Sequence, residues 1–313
     1  MRIVYFGTPE LSAGILRLML KEGANVAAVV TQPDRPQKRS AAPVYSPVKE
    51  AALEAGIPVL QPEKVSDPEF LDELQEIGAD IHVVAAYAQK LPNRLLEMAP
   101  LGCINMHPSL LPKYRGASPM AAAILNGDDV AGVSIMKMAE KMDAGDIYLQ
   151  REIPLSKTET TESLEEKVIP LGAQMLLEVM DGLEKGTAAA AAQDHTQASY
   201  IKQFVKTDGL IDFTQDAAVI ERKTRGLYPW PGTFTYLEGK VFKIIKAEEG
   251  TLITPGEDSS QPGEIIYAEG DTLAVKCGAG LLCPVVVQLE GKKAMPVSDF
   301  LRGRKDLKGK RLG

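Results

Sequence analysis

Short apolar strands and amphipathic helices alternate from the second residue onward, and this alternation restricts the possible folds more than any other feature. Arg2 to Phe6 is an apolar run, Gly7-Thr8-Pro9 turns the chain, and Leu11, Ile15, Leu18 and Met19 then recur at helical spacing. Val26 to Thr31, Ile81 to Ala86, Cys103 to Met106 and Gly132 to Met138 read as further strands, and Pro47 to Ala55 and Leu164 to Leu183 as helices. Strands separated by helices pair in parallel, and each helix must bury its apolar stripe against the sheet. The expected class is therefore α/β, a mostly parallel sheet with helices on both faces. In such sheets ligands bind beyond the carboxyl ends of the strands.

The rhythm stops at Gly186, where Ala188 to Ala192 forms a run with no helical amphipathicity. The 313 residues divide on this reading into a first domain over 1–185, a linker over 186–204 and a second domain over 205–313. Beyond Phe204, short β-rich segments such as Thr233 to Tyr236, Val241 to Ile245, Gly263 to Ile266 and Leu273 to Val275 lie between glycines and predict a small β-barrel.

Cys103, Cys277 and Cys283 contain no CxxC pair and are odd in number, which argues against a disulfide framework or a cysteine zinc site. The N-terminal strand pattern is not that of a signal peptide, and no apolar run approaches the roughly 18 residues of a membrane span. A soluble protein of a reducing cytoplasm, monomeric and without membrane contact, is expected.

Formal net charge is −7, unfavourable for a polyanionic partner unless positive charge is clustered. Two clusters exist. Lys292, Lys293, Arg302, Arg304, Lys305, Lys308, Lys310 and Arg311 crowd the C-terminal segment, and Arg35, Lys38 and Arg39 lie in a proline-rich insertion over 32–47. Both could equally be solvated surface.

The chemistry concentrates at Asn105-Met106-His107-Pro108-Ser109-Leu110-Leu111-Pro112, which leaves a strand and enters a proline-bounded loop. Residues two apart on a strand share a side, so Asn105 and His107 can face one ligand. Asp143, just beyond the next strand, can orient His107 or receive a proton through it. Such a trio suits acyl transfer to an amine: Asn105 stabilises an oxyanion, His107 polarises the carbonyl and handles protons, and Asp143 sets its charge state. The motif has no Ser or Cys nucleophile, which favours direct attack by the amine. His82 reads as a core histidine and His195 as a solvated one. The chain lacks GxGxxG and a Walker lysine loop, which disfavours a dinucleotide-dependent oxidoreductase, and a non-catalytic RNA-binding protein would leave the trio unexplained.

The stretch Asn105 to Pro112, the following Lys113-Tyr114-Arg115-Gly116, and Asp143-Ala144-Gly145-Asp146 resemble the signature of the 10-formyltetrahydrofolate-dependent formyltransferases. The resemblance covers nearly the whole chain. Phe6-Gly7-Thr8-Pro9, Thr31 to Pro36, Ile211-Asp212-Phe213 and Pro229-Trp230-Pro231-Gly232 direct it to the tRNA-acting branch. It implies a Rossmann-like first domain in which Asn105, His107 and Asp143 are catalytic, with 10-formyltetrahydrofolate held by Ser109, Leu110, Leu111, Pro112, Tyr87 and Gln89 and no metal. It also implies an OB-like second domain and an inserted basic loop that grip initiator methionyl-tRNA, for which Arg35, Lys38, Arg39, Lys292, Lys293, Arg302 and Arg304 are the candidate residues. The implied reaction, part of translation initiation, moves a formyl group to the α-amino group of the methionine. A formyltransferase acting on glycinamide ribonucleotide or an amino sugar shares the first domain but leaves the second unexplained. Ala88 stands where the family usually has glycine, Ala144 where threonine is common and Phe213 where tryptophan is usual; the insertion, Gln37 to Ala42, has fewer charges than is common and no glycine.

Overall fold

The computed structural model describes residues 1–36, 43–250, 260–304 and 306–313. They form two compact units: Met1–Pro119 with Val130–Pro154 and Glu165–Ile201, and Met120–Asp129 with Leu155–Leu164 and Lys202–Gly313.

The first half of the chain contains β1 (Arg2–Gly7), α1 (Glu10–Lys21), β2 (Asn25–Val30), β3 (Arg35–Pro36), β4 (Pro43–Val44), α2 (Pro47–Glu54), β5 (Val59–Leu60) and α3 (Pro68–Glu76). There follow β6 (Ile81–Ala85), α4 (Asn93–Leu96), β7 (Cys103–His107), β8 (Arg115–Gly116), α5 (Pro119–Asn126), β9 (Val130–Lys137), β10 (Ile147–Pro154), α6 (Thr161–Glu184) and β11 (Tyr200–Ile201). The seven-stranded sheet has the order β10-β9-β7-β6-β1-β2-β5. Its pairings are parallel from β5 to β7 and antiparallel at β7–β9 and β9–β10. The strands that read as continuous apolar runs are those buried on both faces. Val4, Phe6, Val30 and Val84 meet Phe70, Leu71 and Leu74 of α3 and Leu95 of α4. On the opposite face Tyr5 is fully buried and its hydroxyl donates to Ser12 O at 2.8 Å. α2 starts where Ser46 Oγ accepts from Lys49 N at 3.1 Å and Pro47 fixes the first helical φ.

Chain order reverses between β1, which neighbours β2, and β6, which leads to β7, and this is where an open α/β sheet leaves a crevice at its carboxyl edge. Gly7, the 86–91 segment and the Asn105–His107 end of β7 all lie at that edge, since β1, β6 and β7 run in parallel.

The later elements are α7 (Ala217–Gly226), β12 (Thr233–Leu237), β13 (Lys240–Gly250), β14 (Ile265–Glu269), β15 (Thr272–Lys276), β16 (Leu281–Leu289), β17 (Met295–Pro296) and α8 (Val297–Arg302). The sheet order is β12-β13-β16-β15-β14, with β17 on β16, and every pairing is antiparallel. Register shifts in β13 at Ile244/Lys246 and Lys246/Ala247 bend the long strand and curl the sheet into a barrel-like form. Its inside is filled by Phe213, Ile220, Phe242, Ile244, Leu282 and Val287 with Phe300, Leu307 and Leu312 from the C-terminal segment. β16 escapes the strand pattern of the sequence because Pro284 interrupts it, yet Pro284 sits in register opposite Ala247. The basic tail is not a free arm: Gly309 N donates to Ile265 O and Leu312 N to Gly263 O, both at 2.8 Å.

Candidate active site

β7 carries the site. Its register places Asn105 opposite Val84 of β6 and Met136 of β9, and His107 opposite Ser134. Because the strand persists to His107, Asn105 and His107 share one side of it. Both side chains are nearly buried, and the Asn105 carboxamide has no hydrogen-bond partner among the described residues. An amide left unpaired at the rim of a crevice is free to donate to a ligand oxygen.

His107 Nε2 lies 2.9 Å from Tyr114 O, and since a carbonyl can only accept, Nε2 carries the hydrogen. Nδ1 is then the nitrogen that exchanges protons, and it lies 3.8 Å from Asp143 Oδ2. The same carboxylate oxygen accepts the backbone N–H of Gly116 at 2.7 Å. Asp143 and Tyr114 both have positive φ, 50° and 59°, a region that residues other than glycine seldom enter and that clusters at functional sites.

The loop after His107 is tied to β9 through the Ser134 hydroxyl. Ser134 Oγ donates to Ser109 O at 2.6 Å and accepts from Leu111 N at 3.1 Å and Gln150 Nε2 at 2.8 Å. Gln150 Nε2 also reaches Leu111 O, and Ser109 Oγ donates to Lys113 O at 2.6 Å. Leu111 is buried, its peptide to Pro112 is cis, and Leu110 packs over Gly132, where a Cβ would fall 2.4 Å from its Cδ2.

The 86–91 segment presents other atoms than the sequence suggests. Ala86 and Ala88 have φ of 51° and 68° and point outward, while Tyr87 between them turns into the core edge-on to Phe6. Burial pushes the Tyr87 hydroxyl up to about 12, and that oxygen has no partner among the described residues. The Gln89 amide accepts from Val65 N at 2.9 Å and donates to Gln32 Oε1 at 3.3 Å. Tyr87 and Gln89 thus spend their side chains within the fold.

Of the candidate nucleic-acid residues, Lys38 and Arg39 lie outside the described residues. Arg35 is exposed and 3.6 Å from Glu63. Lys292 and Lys293 are exposed between β16 and β17, and Arg302 is exposed beside Asp299. Arg304 donates to Glu238 at 2.9 Å and lies over the Phe300 ring, so its charge is already engaged.

Two buried residues at the site have roles that the sequence does not announce. Arg115 is fully buried and donates to Gln193 Oε1, Tyr200 Oη and His195 Nδ1 at 2.6, 3.0 and 2.8 Å. Gln193 in turn donates to Asp143 O and Gly145 O at 3.0 and 2.6 Å. Arg115 could have been noticed within the Lys-Tyr-Arg-Gly segment, but Gln193 follows an alanine run and carries no local signal. His195, which reads as solvated, is exposed but accepts from Arg115. His82 is buried, its Nδ1 3.2 Å from Leu95 O. No group of three or more His, Cys, Asp or Glu among the described residues is placed to hold a metal, and no helix among them is long and apolar enough to cross a membrane.

Comparison with known proteins gives this geometry a family. Residues 1–180 match the Formyl transferase family and residues 203–305 the Formyl transferase, C-terminal domain family. The chain is 44% identical to a methionyl-tRNA formyltransferase of Lachnospira eligens over 100% of both chains. It is 46% identical to one of Desulfotalea psychrophila over 97% of this chain and 93% of the relative. Among solved structures, the fold resembles an N-formyltransferase from Helicobacter canadensis in complex with folinic acid and dTDP-3-aminofucose (TM-score 0.66, 18% identity, 90% of this chain and 98% of that one). It also resembles HypX from Aquifex aeolicus in complex with tetrahydrofolic acid (TM-score 0.66, 17% identity, 99% of this chain and 48% of that one). Likeness to curated relatives along the full length, with both domain families matched in order, shows that the chain belongs to the methionyl-tRNA formyltransferase family.

Proposed function

We propose that the protein transfers the formyl group of 10-formyltetrahydrofolate to the α-amino group of methionine on initiator methionyl-tRNA, with Asn105, His107 and Asp143 as catalytic residues. The observation that carries this reading is the uncommitted Asn105 carboxamide beside His107, whose Nδ1 faces Asp143 at 3.8 Å, in a chain that matches methionyl-tRNA formyltransferases end to end.

The donor set fits an N-formyl group. Formyl transfer to an amine requires hydrogen-bond donation to the formyl oxygen and an acceptor for the proton that the attacking amine gives up. Asn105 supplies the first, and His107 Nδ1 with Asp143 the second. The α-amine attacks as the neutral base; with a pKa of about 7.7 to 8.0 for such a group, an appreciable fraction is neutral at physiological pH. A C–N bond forms, the carbonyl oxygen becomes an oxyanion beside the Asn105 amide, and the nitrogen becomes acidic. His107 Nδ1 takes its proton, held in place by the Nε2–H···O bond to Tyr114, while Asp143 compensates the imidazolium charge. As the C–N bond to the donor breaks, the proton goes to the departing nitrogen, leaving formylmethionyl-tRNA and tetrahydrofolate.

The region to about 185 supplies the chemistry in this reading, with Ser109 to Pro112 and the main chain of 86–89 lining the folate side. The region from 205 and the insertion grip tRNA through Arg35, Lys38, Arg39, Lys292, Lys293, Arg302 and Arg304. The enzyme acts in the cytoplasm as a monomer. Incubation with 10-formyltetrahydrofolate and charged initiator or elongator tRNA tests the assignment: formylation of the initiator alone is expected. Absence of product, or equal product with both, would sink it.

A further inference from the structure

Asp143 is a non-glycine residue at φ 50°, and a backbone in that region persists only where its surroundings over-determine it. The structure supplies two constraints. The Gly116 N–H binds Asp143 Oδ2, and the Gln193 Nε2 amide bridges Asp143 O and Gly145 O, closing the turn. Gln193 is itself buried, and its Oε1 accepts from Arg115 Nη2 at 2.6 Å.

Arg115 is unusual on its own account. It is completely buried, its side chain donates to the uncharged acceptors of Gln193, Tyr200 and His195, and its Nε has no partner among the described residues. A buried guanidinium with uncharged acceptors is a poor source of stability, because desolvation of the charge is only partly offset. Its effect is directional. A charge-assisted hydrogen bond to Oε1 polarises the Gln193 amide and strengthens the two bonds that its N–H groups donate. The main chain that carries Arg115 also carries the Gly116 N–H, so one dipeptide restrains Asp143 through both its carbonyl and its carboxylate.

We propose that Gln193 and Arg115 are positioning residues for the transfer reaction, holding the Asp143 carboxylate toward His107 Nδ1. The proposal rests on the catalytic reading of Asp143. It also assigns a task in the chemistry to residues 193–200, which follow the alanine run.

The test uses the full-length enzyme, charged initiator tRNA and 10-formyltetrahydrofolate, with steady-state and single-turnover rates for Q193A, Q193E, D143N and D143N/Q193A. Displacement of a reacting group by about 1 Å costs on the order of 100-fold, so Q193A should lower kcat by about 10- to 100-fold while both KM values stay within about twofold. Q193E keeps a partner for Arg115 but has no N–H to give to the Asp143 turn, and should fall with Q193A. In the D143N background Q193A should change the rate by less than about twofold, because the two residues act as one unit. Melting temperatures separate misfolding from misplacement, and if Q193A melts below the assay temperature the near-isosteric Q193E carries the comparison. Wild-type kcat in either Gln193 variant, or rate reductions that add in the double variant, would overturn the positioning role while leaving the trio in place. Wild-type turnover by D143N would remove the catalytic reading of Asp143 and this proposal with it.

Discussion

The backbone N–H of Gly116 donates to Asp143 Oδ2 at 2.7 Å, so a carboxylate is tethered by a residue 27 positions away. The tether depends on the absence of a side chain: Gly116 has φ 111°, and a Cβ there would lie 2.2 Å from Ile201 O, the partner of Ala117 N across the β8–β11 pair. Gly116→Ala must push these strands apart. It should lower unfolding free energy by about 1–3 kcal/mol, as overpacking does, and reduce turnover in the fraction that stays folded. Denaturant titration and initial rates measured on one preparation check both; unchanged turnover would show that the tether is dispensable.

The trio itself should separate binding from chemistry. Asn105→Ala removes the proposed oxyanion donor and should lower kcat by roughly 100-fold or more. His107→Ala and Asp143→Asn should abolish most turnover, with tRNA affinity nearly unchanged because the roles proposed for them lie in the transition state. If Asn105→Ala alters only folate affinity, that residue binds substrate without stabilising the oxyanion.

At Ala88 the left-handed backbone, φ 68°, burdens an alanine where glycine would be unstrained. Such a conformation costs an L-residue about 1–2 kcal/mol, and the greater entropy of glycine in the unfolded chain returns about 0.4–1 kcal/mol of that. Ala88→Gly should therefore stabilise the protein by about 0.5–1 kcal/mol. A lower denaturation midpoint would contradict the strain argument.

Acid should destabilise the first unit through His82. Burial lowers its pKa to about 4, against which the bond to Leu95 O works only in part. The unfolded chain, titrating near the ordinary value of about 6.5, binds this proton first, so stability falls as pH drops from about 6.5 to about 4 and levels off below. The difference amounts to about 3 kcal/mol. His82→Leu should flatten the stability profile in that window. A profile that stays as steep would assign the acid sensitivity to other groups.

Lys292 and Lys293 are exposed and make no ion pair among the described residues, whereas Arg304 is occupied by Glu238. Replacing both lysines with alanine should weaken tRNA binding and make the dependence of log affinity on log salt shallower, by about one unit for each phosphate that is no longer neutralised. Arg304→Ala should change that slope less. Identical salt slopes for the wild type and the lysine double variant would remove these residues from the tRNA surface.

The amino-acid sequence by itself determined the α/β class, the positions of β1, β2, β6, β7 and β9, and the common side of Asn105 and His107, because each depends on a short periodicity that a few neighbouring residues impose. The formyltransferase signature was legible by resemblance, since its residues are contiguous around Asn105 to Gly116 and Asp143 to Asp146. The approach of Asp143 to His107 belongs to the tertiary structure, which joins β7 to the turn beyond β9 through backbone hydrogen bonds that no local pattern encodes. Tyr87 is buried between exposed Ala86 and Ala88, both at positive φ, a loop conformation that no strand or helix period announces. The basic C-terminal segment follows the barrel because Leu307 and Leu312 are buried in it, so charge counting alone could not tell that Arg304 and Lys310 pair with Glu238. Arg115 and Gln193 illustrate the same limit: they are 78 residues apart and become partners only when β11 adds to β8. Local steric and hydrophobic preferences act over a few residues, whereas the hydrogen bonds that orient the Asp143 carboxylate form only after distant segments have packed.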